Sequence, residues 1–175
     1  MYTDKKYKGI IVPAVTPLTK DYTIDTAAVE KIFASFYEHN ISPFILGTTG
    51  ESASLSASVK TDYLKAAEKN KKTGTVLYAG ISSNVFAESV EFAKLCADNA
   101  VDAVAATLPS YYALNDGQML KYFEDLADAI PLPMIIYNIP ATTHMSIPLE
   151  VIDELSMHPN IVAVKDSERS EERLM

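Results

Sequence analysis

The sequence predicts a parallel α/β fold, and two observations carry that expectation. Six short apolar runs are continuous rather than alternating, the pattern of parallel strands covered on both faces. Segments of helical period lie between them, and strand starts recur about every 30 residues, the length of one βα unit. Repeated βα units build either a doubly wound open sheet or a (β/α)8 barrel. Both put their chemistry at the C-terminal ends of the strands.

The first run is Ile10 to Val15. A helix follows in which Val29, Ile32, Phe33 and Phe36 share a face, with Asp25 as its N-cap. The second run, Pro43 to Leu46, precedes a helix marked by Val59, Tyr63 and Ala66 behind Ser56. Val76 to Ala79 is the third strand, and Phe86, Val90, Ala93 and Ala97 behind Ser83 make the third helix. Val101 to Ala105 is the fourth strand, followed by a helix with Leu120, Phe123, Ala127 and Ile130 on one face. Met134 to Tyr137 is the fifth strand; Leu149, Ile152 and Leu155 follow Pro148, which suits a first helical turn. Ile161 to Val164 is the sixth, and Asp166-Ser167 reads as the cap of a helix just beginning. No linker or low-complexity stretch interrupts the series, so one domain is expected.

Composition narrows the function. With 15 basic against 23 acidic side chains and a formal charge of −8, the chain lacks the basic face that nucleic acid requires. No apolar run approaches the roughly 18 residues of a membrane span, and the polar start is unlike a signal peptide. Cys96 is the single cysteine, so no intramolecular disulfide forms, and a reducing cytoplasm is the expected compartment. His39, His144 and His158 are scattered without ligand spacing, so no metal is expected.

Three strand ends carry candidate chemistry. The second runs into Gly47-Thr48-Thr49-Gly50-Glu51, where glycines let backbone approach a ligand and N–H groups with hydroxyls can cradle an anion. Neither a P-loop lysine nor the dinucleotide glycine order is present, so a small carboxylate fits best, and a tight turn without ligand accounts for the same residues. The fifth ends in Tyr137-Asn138-Ile139-Pro140; Tyr137 reads either as core or as a proton carrier. The sixth ends in Lys165-Asp166. Of 13 lysines, Lys165 alone ends an apolar strand, while the others lie in polar or helical-surface settings such as Lys69-Asn70-Lys71-Lys72. Burial favours a lysine's neutral amine, which condenses with carbonyls to form a Schiff base. A lysine snorkelling to the rim, or paired with Asp166, is the plainer alternative. The only arginines are Arg169 and Arg173, so neutral donors such as Thr48 and Thr49 must hold most of any substrate carboxylate. After the fourth strand, Pro109-Ser110-Tyr111-Tyr112 reads as an ordered loop and an interface patch.

Taken together, Ile11-Val12-Pro13-Ala14-Val15-Thr16-Pro17, Gly47-Thr48-Thr49-Gly50-Glu51, Pro109-Ser110-Tyr111-Tyr112, Tyr137-Asn138-Ile139-Pro140 and Val164-Lys165-Asp166 resemble the dihydrodipicolinate synthase / N-acetylneuraminate lyase family. The resemblance runs from about Gly9 to Asp166 and is specific through the joint order and spacing of its motifs. It implies a (β/α)8 TIM barrel, here incomplete with six strands and five complete helices. It also implies a class I aldolase acting on pyruvate or a 2-oxo acid, assembled as a homo-oligomer, commonly a tetramer, and needing no cofactor. Carried over, Lys165 forms the imine, Tyr137 shuttles the proton, Thr48 relays it, and Thr48 with Thr49 holds the pyruvate carboxylate. Tyr112 resembles the tyrosine that completes the relay from a neighbouring subunit.

One departure bears on substrate. The synthase branch carries an arginine two residues after the proline of its Tyr-Asn-x-Pro run, where this chain has Thr142. Losing such a charge-assisted contact typically costs about 2–5 kcal/mol of binding. Thr142 therefore directs the expectation toward a 2-keto-3-deoxy sugar acid or a sialic acid. The alternatives are 4-hydroxy-tetrahydrodipicolinate synthase, joining pyruvate to aspartate semialdehyde, and a catalytically silent family member that binds a 2-oxo acid. A (β/α)8 barrel takes about 250 residues, so the 175 residues are expected to be the N-terminal part of one barrel domain, ending after the sixth strand, with open edges on the first and sixth strands and an uncovered apolar face.

Overall fold

The computed structural model describes residues 6–170 and residue 173. All six apolar runs form strands: β1 (Ile10–Pro13), β2 (Ile41–Ile45), β3 (Tyr78–Gly80), β4 (Ala103–Ala106), β5 (Met134–Asn138) and β6 (Ile161–Asp166). The helices are α1 (Thr26–Glu38), α2 (Ala57–Asn70), α3 (Phe86–Asp98), α4 (Asp116–Ala129), a short α5 (Pro140–Thr143) and α6 (Leu149–Leu155). The sheet order is β1-β2-β3-β4-β5-β6. A doubly wound sheet reverses its order at a switch point, whereas consecutive order with a helix in each connection is the barrel's progression.

The chain divides into two compact units. Of the described residues, the first holds 6–80 and 95–104. In it β1 pairs with β2 in parallel, Ile10 facing Ile41, and β2 with β3, Phe44 facing Tyr78. Its core is built on Val29 and Phe33 of α1, Phe44 and Ile45 of β2, Tyr63 and Leu64 of α2, and Tyr78. Asp25 caps α1, its carboxylate accepting from the Ala28 N–H at 3.0 Å. Ser56 does the same for α2 through the Val59 N–H at 3.3 Å. At the opposite end of α2 the sequence reading needs correction, because Lys71 is not a surface lysine. Its side chain is 18% exposed, and its ammonium lies 2.6 Å from Asp102 and donates to the Ala100 carbonyl at 2.7 Å. The same Asp102 oxygen accepts from the Leu77 N–H at 2.9 Å, so one carboxylate ties α2 to the start of β3.

The second unit holds, of the described residues, 81–94, 105–170 and 173. Here β5 pairs with β6 in parallel, aligning Tyr137 with Lys165 and Asn138 with Asp166. Strand β5 is buried throughout. Helix α4 begins in a full capping box between Asn115 and Gln118 and buries Met119, Phe123, Leu126 and Ala127. Ser83 stands too far ahead to cap α3, which starts at Phe86; its hydroxyl instead accepts from the Val85 N–H at 3.1 Å and donates to Glu88 at 2.7 Å.

Two further expectations are corrected. Cover on both faces holds for the inner strands but not for β1, where Ile10 is 62% exposed, nor for β6, where Val162 and Val164 are 37% and 39% exposed. Asp166 does not open a helix among the described residues; β6 runs through it, and its carboxylate turns the chain by accepting from the Glu168 N–H at 2.8 Å. No described helix is long and apolar enough to cross a membrane.

Candidate active site

Lys165 and Tyr137 meet at the ends of paired strands. Parallel register puts the two residues opposite each other on β6 and β5. The Lys165 Nζ lies 3.7 Å from the centre of the Tyr137 ring, a close cation–π contact. The Nζ also donates to the Ser167 hydroxyl at 2.9 Å. Tyr137 is buried, whereas Lys165 is only half-buried, so the amine stands at the rim of the strand ends rather than sealed within the sheet. A lysine amine at such a place is open to a carbonyl carbon, and the aromatic face favours positive charge on the nitrogen.

Asn138, next to Tyr137, is fully buried. Its amide donates to Asp166 and to Glu168, both at 3.0 Å, and its side-chain oxygen accepts from the Ile147 N–H at 3.1 Å. Glu168 also accepts from the Ser146 hydroxyl at 2.6 Å and from Arg173 at 2.9 Å. The Ser146 and Asn138 hydrogen bonds, with the Arg173 charge, hold the Glu168 carboxyl below the usual range. Sequence reasoning quoted Asn138 only as part of a motif, read Asp166 and Ser167 as a helix cap, and missed Glu168. Asp166 and Glu168 lie 28 and 30 residues from Asn138, and the β5–β6 register brings them to it.

The loop after β4 presents Tyr111 and Tyr112, 77% and 75% exposed, as an edge-to-face pair with ring centres 4.9 Å apart. Asn84 sets the loop, its side-chain oxygen accepting from the N–H groups of Ser110 at 2.8 Å and Tyr111 at 3.3 Å. The expected ordered loop is there, and Asn84 is the organiser the sequence did not reveal. Thr142 sits exposed on α5, its hydroxyl donating to the Ile139 carbonyl at 3.3 Å. This one-turn helix was not foreseen either.

In the first unit, Thr48 and Thr49 are exposed between the buried Gly47 and Gly50. Two non-glycine residues in the left-handed region, Leu46 at φ 55° and Glu51 at φ 52°, bracket the loop. The glycines have a packing role in the loop itself. A Cβ on Gly47 would meet the Phe44 ring at 3.0 Å, and one on Gly50 the Ala14 carbonyl at 3.1 Å. They let the loop lie against its own unit, which turns the two threonines outward. Thr16 and Tyr63 fix the neighbouring backbone by donating to the Gly50 carbonyl at 2.7 Å and the Val15 carbonyl at 2.8 Å.

The histidines have structural places. His39 caps α1, its Nδ1 2.8 Å from the Ser35 carbonyl. His158 accepts from the Asn160 N–H through Nδ1 at 3.2 Å, which leaves Nε2 to donate to Asp128 at 3.1 Å. Among the described residues no three His, Cys, Asp or Glu side chains group as metal ligands. A cavity of about 510 Å³ opens beside the Lys71–Asp102 pair, lined also by Lys6, Glu68 and Lys72; no candidate site residue lines it.

Comparison with known proteins bears on this geometry. Residues 6–175 match the model of the dihydrodipicolinate synthetase family. A 4-hydroxy-tetrahydrodipicolinate synthase of Methanosarcina mazei is 36% identical over 162 residues, covering 92% of this chain and 55% of the relative. One from Leuconostoc mesenteroides is 34% identical over 169 residues, covering 94% and 59%. The chain thus spans about half the length of the curated relatives it matches. Among solved structures, the dihydrodipicolinate synthase of Bacteroides thetaiotaomicron superposes with a TM-score of 0.90 at 31% identity, over 96% of this chain and 57% of that one. A Ruminococcus gnavus sialic acid aldolase gives 0.87 at 25% identity, over 97% and 57%.

Proposed function

The chain belongs to the dihydrodipicolinate synthetase family, and on that footing we propose that the protein carrying it is a Schiff-base lyase acting on pyruvate or another 2-oxo acid. The observation that carries this reading is the Lys165 amine 3.7 Å from the Tyr137 ring on paired strand ends. The Lys165 Nζ attacks the 2-oxo carbon and water leaves, giving an iminium. That cation draws electrons from the neighbouring C3 bond, so loss of a C3 proton yields an enamine that adds to an aldehyde, and the reverse sequence breaks the same bond. Tyr137 carries the proton to the forming hydroxyl or from the leaving one. Thr48 relays it, and Thr48 and Thr49 hold the 2-oxo acid's carboxylate. Tyr112 completes the relay across a subunit boundary of a homo-oligomer, a tetramer in our reading. The lysine supplies the electron sink, so no cofactor takes part, and we place the reaction in the cytoplasm.

For the aldehyde, the names of the curated relatives support 4-hydroxy-tetrahydrodipicolinate synthase, with aspartate semialdehyde as second substrate. This is the alternative the sequence offers. Thr142 supports the other, a 2-keto-3-deoxy sugar acid or sialic acid, because an exposed hydroxyl pairs with a substrate hydroxyl where an arginine would clamp a carboxylate. Offering aspartate semialdehyde, N-acetylmannosamine and glyceraldehyde with pyruvate separates the two.

The test of the chemistry is reductive trapping. Full-length protein incubated with pyruvate and borohydride is expected to carry a stable adduct on Lys165, and Lys165→Arg to carry none. Pyruvate binding without an adduct would leave a silent 2-oxo-acid binder in its place.

A further inference from the structure

We infer that Asn138 is a positioning residue of this site, a buried amide clasp that fixes the chain following Lys165 against the strand carrying Tyr137. Its effect on the chemistry rests on the Schiff-base reading; the clasp itself does not.

A side-chain amide has two N–H donors and one oxygen acceptor. All three are used here. One proton goes to Asp166 and one to Glu168, while the oxygen takes the Ile147 N–H. The Asn138 backbone carbonyl adds a fourth tie by accepting from the Ser167 N–H at 2.9 Å. Residues 166, 167 and 168 are therefore each bound to Asn138. Ser167, held in the middle, accepts the Lys165 ammonium at 2.9 Å. The path is short: Asn138 fixes Ser167, and Ser167 together with the Tyr137 ring fixes the Nζ.

Only a neutral amide does this. Asp166 and Glu168 put two carboxylates on one buried nitrogen, and Arg173 balances them, its Nε 2.9 Å from Glu168 and its Nη1 3.4 Å from Asp166. An aspartate at 138 would set a third carboxylate against those two, directly across the register from Asp166. Ionised, it could donate nothing. Protonated, it could donate once.

The test compares Asn138→Asp with the unaltered full-length protein by two readouts. The first is acylation of Lys165 by an amine-reactive acetyl ester, measured by peptide mass against the exposed Lys121 in the same sample. In the unaltered protein Lys165 is expected to label more slowly than Lys121. In Asn138→Asp at pH 8 the ratio should rise about fivefold, the factor one ordinary hydrogen bond is worth. Slow labelling of the paired Lys71 reports that the fold is intact; if Lys71 also speeds up, Ser167→Ala decides, since it removes only the last link. The second readout is pyruvate–borohydride trapping. Its rate in Asn138→Asp should fall about tenfold at pH 8 and recover relative to the unaltered protein toward pH 5.5, where the new carboxyl takes up its proton. A merely structural defect would show no such recovery. If folded Asn138→Asp and Ser167→Ala both keep the original Lys165 ratio, the clasp is wrong. If the labelling behaves as expected but the unaltered protein is never trapped by pyruvate, the clasp stands and the Schiff-base reading falls.

Discussion

At the scale of single residues, the described glycine with least room for a side chain is Gly80, which has no part in the proposed chemistry. A Cβ on Gly80, the last residue of β3, would lie 2.2 Å from the Leu46 carbonyl oxygen and 2.9 Å from its carbon. These are backbone atoms, and Leu46 is buried and already left-handed, so the neighbour cannot yield cheaply. Gly80→Ala is expected to cost about 3 kcal/mol or more, the upper end of overpacking. Gly74→Ala is the comparison, because nothing lies within 4 Å of its Cβ and the penalty is the positive φ of 83° alone, about 1–2 kcal/mol. Urea denaturation of both variants checks the order; equal losses would mean the β2–β3 approach relaxes freely. Neither requirement is legible in the sequence, where both are simply glycines near strand ends. Lys165 is legible for the opposite reason: a charge closing an apolar run stands out without any knowledge of what it touches.

At the scale of elements, the sequence announces what is periodic and conceals what is assembled. The six strands and five of the helices could be read because burial writes itself into apolar runs and helical spacing, and Asp25 and Ser56 because an N-cap is a local device. Helix α5 could not, since four residues have no period. Nor could the turn after β6, because Asp166 and Glu168 act through Asn138 on another strand. That turn titrates. Hydrogen bonds from Ser146 and Asn138, with the Arg173 charge, depress the Glu168 carboxyl in the folded chain. A depressed carboxyl contributes stability that is full above its unfolded pKa, about 4.3, and is lost as pH falls through the lower folded value. The stability difference between the unaltered protein and Glu168→Gln is therefore expected to be constant from pH 7 to about 5 and to shrink below pH 4. Denaturation midpoints across that series measure it, and a difference that does not change with pH would show that the carboxylate is not held by these partners.

At the scale of the whole molecule, the consequential feature is apolar surface at both ends of the strand order. Strand β1 pairs with β2 and exposes Ile10 and Ile11; strand β6 pairs with β5 and exposes Val162 and Val164 on one face. Soluble proteins protect such strands with charge, proline or a covering element, since unpaired N–H and C=O groups beside apolar side chains template association. Strand β6 has Lys165 and Asp166 only at its end, and both are engaged by Ser167 and Asn138. The net charge of −8 opposes association at long range, but salt screens it within about 10 Å. The 175-residue polypeptide is therefore expected to self-associate at moderate salt. Lysines at Val162 and Val164 together should weaken that association at least about tenfold, about 1.4 kcal/mol, because two facing copies would then bring like charges together. Residue 164 lies beside Lys165 but on the opposite face of the pleat, so the contact between Lys165 and Tyr137 should persist, which slow acylation of Lys165 would confirm. Sedimentation of both polypeptides over a concentration series reads the association directly. A monomer in both cases would show that the exposed faces of β1 and β6 are tolerated in water without another surface to cover them.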